Sequence, residues 1–194
     1  MRTAFKEWAV VVDALGRGEQ IVILRKGGIS EGRGGFRVEQ PEFLLLPTLF
    51  HQQRESVLPA AQQRFDEIAP HFPPAEILRL EFFARVVEWR QIDSLAEAER
   101  LRGQHIWRDE VIAQRFDWGA TKSIFALAVR VFRLPHPVER PLSPADGGCK
   151  SWIELEKDID TRDALPVLSE PDFAARLAPF RDALKPIAPS AWEF

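Results

Sequence analysis

Apolar residues recur along the chain with two periods, and the changes between them mark the elements. Phe5, Trp8, Ala9, Val12 and Leu15 follow the helical period behind Thr3, with Gly16 and Gly18 beyond; a first helix capped by Thr3 and ended by glycine is predicted. Residues 20–25 form an Ile/Val-rich run between glycines, too short for a helix and therefore a strand. Residues 43–46 predict a second buried strand stopped by Pro47 and Thr48, and residues 49–68 a helix interrupted near Pro59. Past Pro70, Pro73 and Pro74, the alternation of Leu78, Leu80, Phe82, Ala84 and Val86 predicts one long half-buried strand. Ser94 and Glu97 make a capping box for a helix carrying Leu95, Ala98 and Leu101, which Gly103 closes. A short helix over residues 108–116 and a central strand over 122–134 follow, then a loop over 135–148 with four prolines and two glycines, and a strand over 149–155. Ser169 and Asp172 cap a last helix carrying Phe173, Leu177, Phe180 and Leu184, which Pro179 is predicted to kink.

This order of elements predicts an α+β fold, a small mixed or antiparallel sheet with flanking helices, as a single domain over residues 1–194. The prolines at 70–74 are the hinge at which an N-terminal lobe, 1–74, would meet a C-terminal lobe, 75–194. The chain carries 26 basic against 29 acidic residues, a net charge of −3, which excludes a wholesale nucleic-acid coat. A polyanion site must therefore be a local patch: residues 119–150 hold five basic and two acidic residues, and residues 16–40 hold five and three. Cys149 is the only cysteine, so no intrachain disulfide forms, and the four scattered histidines do not complete a zinc site; neither cofactor nor metal is called for. No apolar stretch follows a basic start at the N-terminus and no run approaches the roughly 18 residues of a membrane span, so the expected location is cytoplasmic.

Several strings point to chemistry. Gly28, Ile29, Ser30, Glu31 and Gly32 spell a nucleophile elbow, but Arg33, Gly34 and Gly35 follow where a helix is needed, and the string reads as a flexible turn. Arg25 and Lys26 ahead of Gly27 and Gly28 resemble an anion-holding strand end without the spacing of a P-loop. A helix starting at Thr48 would place His51 and Glu55 on one face beside Gln52, giving an imidazole next to a carboxylate. Each of Lys26 and His51 lies just beyond a short strand; an added strand near Phe36, Arg37 and Val38 would let Lys26, Glu31 and His51 meet. Trp107, Arg108, Arg115, Trp118 and Lys122 interleave aromatic and basic groups as single-stranded nucleic acid requires, or form a Trp-anchored helix. Glu154, Glu156, Asp158 and Asp160 read as a solvated acidic rim, and no lysine follows an acid at the two-residue spacing of a restriction-type nuclease.

The opening Phe5, Lys6, Glu7 and Trp8, the string Leu24 to Ile29, the run Phe43 to Thr48 with His51 and Gln52, and Val129 to Pro135 ahead of Ser151 and Trp152 resemble a bacterial family, domain of unknown function 1802. The resemblance implies an association with restriction and modification, in which this chain is the accessory module; it implies no catalytic residues. Three functions stay open: a nucleic-acid-associated accessory protein using Arg25, Lys26, Arg33, Arg37 and the stretch 107–122; a small anion- or phosphate-binding enzyme near Lys26 and His51; and an interaction module that binds a protein partner without chemistry.

Overall fold

The computed structural model describes residues 1–26, 41–143 and 151–185; Ser30, Glu31, Arg33, residues 36–38 and Cys149 lie outside them. Thr3–Trp8 is a strand, β1, and helix α1 begins only at Ala9 and runs to Gly16. Over six residues the spacing of Phe5 and Trp8 satisfies either period, and pairing decides: β1 lies parallel to β3 (Glu42–Thr48) and antiparallel to β6 (Trp152–Glu154). Thr3 caps nothing; its hydroxyl donates to Glu154 Oε2 at 3.1 Å.

Strand β2 (Val22–Arg25) falls within the predicted run, and β4 (Ile77–Ile92) is the long strand expected after the prolines. Strand β5 (Ile124–Pro141) runs seven residues past its expected end, into the segment predicted as a loop. Pro135 and Pro137 are tolerated because pairing with β4 jumps from Phe82↔Arg133 to Leu80↔Val138, leaving both between paired positions, and Pro141 ends the strand opposite Ile77. Strand β3 likewise continues through Pro47, opposite Glu7 of β1. With β7 (Leu165–Pro166) against β5, the seven strands form one open, mostly antiparallel sheet in the order β2-β5-β4-β3-β1-β6. It draws strands from both sides of the prolines at 70–74.

Both faces of the sheet are covered, which explains its near-continuous apolar runs. Phe43 and Leu45 face one cluster, with Val11, Leu24, Trp107 and Phe180; Leu44 and Leu46 face the other, with Ile153 and Leu155. In β4 the register shift between Leu80 and Phe82 moves the pattern from one face to the other. Leu78 and Leu80 join the second cluster with Phe83, whereas Phe82 and Ala84 join the first.

Helices α2 (Gln52–Glu55) and α3 (Pro59–Ile68), a 3₁₀ turn at Ala69–His71, and helices α4 (Leu95–Glu99), α5 (Asp109–Asp117) and α6 (Glu170–Ala183) connect the strands. Ser94 caps α4 as expected, its Oγ accepting from Glu97 N at 3.2 Å, while the Glu97 carboxylate pairs with Arg100; Gly103 takes a left-handed φ of 80° beyond the helix. Ser169 caps α6 through Asp172 N at 3.3 Å, and Pro179 sits inside that helix. Among the described residues no helix is long and apolar enough to cross a membrane.

Candidate functional site

The open sheet curls until its two edges meet, and Arg25 spans the gap. It ends edge strand β2, yet its guanidinium donates to Ser151 Oγ just ahead of β6, lies 3.7 Å from Glu7 Oε2 of β1, and stacks 4.6 Å over the Phe5 ring. Phe5 and Glu7 are two apart on β1 and so share a face; the apolar one forms the platform and the acidic one supplies the counter-charge. Glu7 is only 1% exposed. Its Oε1 accepts from Trp8 N at 2.8 Å, while Oε2 has no hydrogen-bond partner among the described residues.

A second guanidinium arrives from α5. Arg115 lies 3.9 Å over Trp107 and 5.2 Å over Trp8, and the two indoles meet edge-on at 4.4 Å. Such cation–π stacking is worth about 2 kcal/mol where water is excluded. Arg115 also donates to Leu24 O at 3.1 Å, one residue before Arg25. Burial pushes its pKa down to about 10; the nearby Glu7 opposes that shift and the nearby Arg25 adds to it.

Lys26 completes the junction. Its ammonium donates to Phe116 O at 2.9 Å and to Thr121 O, so it holds the turn between α5 and β5 against the end of β2. Burial lowers its pKa, and Asp117 acts in the opposite direction. The turn so held carries Trp118, 70% exposed, and Lys122, paired with Asp117 at 3.0 Å; Gly119, at φ 81°, gives the backbone the left-handed step. Two strings about ninety residues apart, Arg25 with Lys26 and Trp107 to Lys122, thus pack together, with Trp107 in the core at 1% exposure and Trp118 on the surface.

Thr48 joins the site from β3, but not as a helix cap: its hydroxyl donates to Glu7 O at 3.2 Å, and its carbonyl accepts from Gln53 Nε2 at 3.0 Å. Gln53 is fully buried with Oε1 unpartnered among the described residues. His51 and Gln52 are exposed at the start of the four-residue helix α2. The predicted His51–Glu55 pairing is not formed; Glu55 instead takes Arg54 at 3.1 Å. In the sheet β5 and β4 separate β2 from β3, correcting the expected adjacency of the two strands, and the Lys26 ammonium is taken by the Phe116 and Thr121 carbonyls.

Glu7, Trp8, Gln53, His105 and Ser151 were not nominated as site residues from the sequence, although Glu7, Trp8 and Ser151 lie in the strings that carry the family resemblance. Glu7 carried a usable signal, an acid at an alternating position shared with Phe5, but it is visible only once residues 3–8 are read as a strand. His105 is buried behind Trp107, and desolvation pushes its pKa down to about 4.

A mixed α/β chain whose open sheet is joined at its edges by a cation–aromatic cluster is the class that fold and site define. The chain belongs to the family described as a domain of unknown function, DUF1802, whose model matches residues 4–178. No curated protein sequence matches it. Among solved structures it is similar to ASCH from Zymomonas mobilis, at 12% identity over 91% of this chain and 92% of that one, with a TM-score of 0.45. It is similar also to a tyrosine-to-phenylalanine mutant of that protein, at 13% identity over 91% and 95%, with a TM-score of 0.43.

Proposed function

We propose that this chain is a nucleic-acid-associated module that holds single-stranded nucleic acid on the surface where the end of β2 meets the α5–β5 turn. One observation carries the reading: Arg25 and Arg115 converge on the single carboxylate of Glu7, leaving an excess of positive charge, and Lys26 ties that cluster to a turn presenting an exposed indole, Trp118. Guanidinium and ammonium groups attract phosphates, and an exposed aromatic offers a stacking face to any unpaired base. Duplex DNA hides its base faces and gains only the charge contribution. We read the module as acting in the cytoplasm, and as the accessory, non-cleaving partner in the restriction and modification association that the family resemblance implies.

Anisotropy titration of labelled single- and double-stranded oligonucleotides at low salt tests the reading. The single strand binds more tightly. Trp118→Ala, at a position too exposed to affect stability appreciably, weakens it about tenfold, the lower range for one lost stacking contact. Absence of binding at low salt, or equal affinities for wild type and Trp118→Ala, refutes it.

A further inference from the structure

Strands β3 and β4 separate before either ends. Their pairing stops at Leu45↔Phe82, although β3 runs on to Thr48 and β4 reaches back to Ile77. Pro47 has no N–H with which to continue the ladder, and the register shift between β4 and β5 skips Glu81 at the same level. Residues of α1, α3 and the 3₁₀ turn line the gap together with Pro47 and the β4 residues, leaving a cleft of about 320 Å³, a size for a small ligand. Exposed Glu67 and His71 in its lining put it within reach of solvent, and Val12, Ile68, Phe72 and Phe82 supply an apolar wall.

Much of the charge in this lining is already spent. Arg64 donates to both oxygens of Asp13, at 2.8 and 3.3 Å, and its remaining nitrogen pairs with Glu67. Arg79 and Glu81 differ. Arg79 Nε is buried 2.8 Å from Glu81 Oε1, but out of line for a hydrogen bond, and it has no other partner among the described residues. Glu139 stands 3.6 Å from Arg79 Nη1 and Arg133 4.0 Å from Glu81 Oε2, both too far for hydrogen bonds. A half-buried guanidinium and a half-buried carboxylate thus line the cleft with hydrogen-bonding capacity unused.

Such a pair selects a ligand that carries both charges. An anion alone is opposed by Glu81 and a cation alone by Arg79, while a neutral polar edge leaves two desolvated charges unmatched. A zwitterion meets both at once, and the ammonium and carboxylate of an α-amino acid lie about as close together as the two groups they would meet. We propose that the cleft binds a free α-amino acid with a large apolar side chain. Its carboxylate accepts from Arg79, its ammonium donates to Glu81, and its side chain lies against Val12, Ile68, Phe72 and Phe82. The cleft shares no residue with the proposed nucleic-acid surface and does not rest on that reading.

Calorimetric titration of the intact chain with L-phenylalanine, L-leucine and glycine tests it, beside 3-phenylpropanoate and phenethylamine, which keep the phenyl group and lack the ammonium or the carboxylate. Phenylalanine or leucine binds saturably. Glycine, 3-phenylpropanoate and phenethylamine each bind at least about tenfold more weakly, the loss of one buried side chain or one charge-assisted contact. Glu81→Gln brings phenylalanine down to the affinity of 3-phenylpropanoate without weakening 3-phenylpropanoate itself, and Arg79→Gln does the same relative to phenethylamine. A merely structural role for either residue would weaken every compound alike. The analogue series on the wild-type chain carries the test if a variant fails to fold. Absence of saturable binding by phenylalanine and leucine overturns the proposal, as does equal affinity for phenylalanine and either analogue. Tighter binding of adenosine or uridine than of phenylalanine, lost in Arg79→Gln, overturns it in favour of a nucleoside site.

Discussion

At the scale of single residues, the energetics turn on polar groups placed where water is scarce. His105 is the clearest instance. Its ring is buried, with Asp109, Arg115 and Trp107 around it, and the net effect lowers its pKa from 6.5 to about 4. The folded chain then releases the proton that the unfolded chain still binds between pH 6.5 and pH 4, so the contribution is complete above about pH 6.5 and is lost as the pH falls. Between pH 7 and pH 5 that loss is about 2 kcal/mol. Urea denaturation at both pH values measures it: the wild-type chain loses about 2 kcal/mol more than His105→Gln, which has no imidazole to titrate, and parallel losses contradict the assignment. In the sequence His105 is one of four scattered histidines with no local pattern to set it apart. Its burial comes from long-range packing behind Trp107, which no spacing along the chain encodes. Arg25 and Arg115 were readable as cations, and their convergence on Glu7 was not, because it depends on two sheet edges meeting.

At the scale of elements, periodicity was most informative where an element is long or locally capped. Strand β4, the Ser94 cap of α4 and the Ser169 cap of α6 agree with expectation because each is determined by near neighbours in sequence. The misreadings at β1 and at the far end of β5 share a cause: a six-residue stretch fits two periods at once, and a proline-rich stretch can still pair where the register shifts. Packing between elements adds a constraint at Gly16, the last residue of α1. A Cβ there would clash with the Phe82 ring on β4, and that ring is itself buried in the core. Gly16→Ala must displace the ring or the helix, costing about 1–3 kcal/mol, which exceeds the helix propensity gained. A lower urea midpoint with an unchanged slope is the expected result; a raised midpoint would show that the α1–β4 contact has slack.

At the scale of the whole molecule, the site exists because an open sheet is bent far enough for its edge strands to face each other across Arg25. The charge distribution follows from that geometry. A chain of net charge −3 gathers Arg25, Lys26, Arg115 and Lys122 at one junction beside the carboxylates of Glu7 and Asp117, while elsewhere surface cations are paired one to one, as in Arg54 with Asp66 and Arg162 with Asp160. Net charge and segment counts indicated that any polyanion site had to be local; strand order was needed to bring Arg25 and Lys26 beside the α5–β5 turn. The salt dependence of single-stranded oligonucleotide binding tests this account most directly. If the junction is the site, log K falls linearly with log salt with a slope of about −2, the value for roughly three phosphates neutralised on a single strand, and Arg25→Ala makes the slope shallower by about 0.7. A slope near zero, or one that Arg25→Ala leaves unchanged, would contradict it.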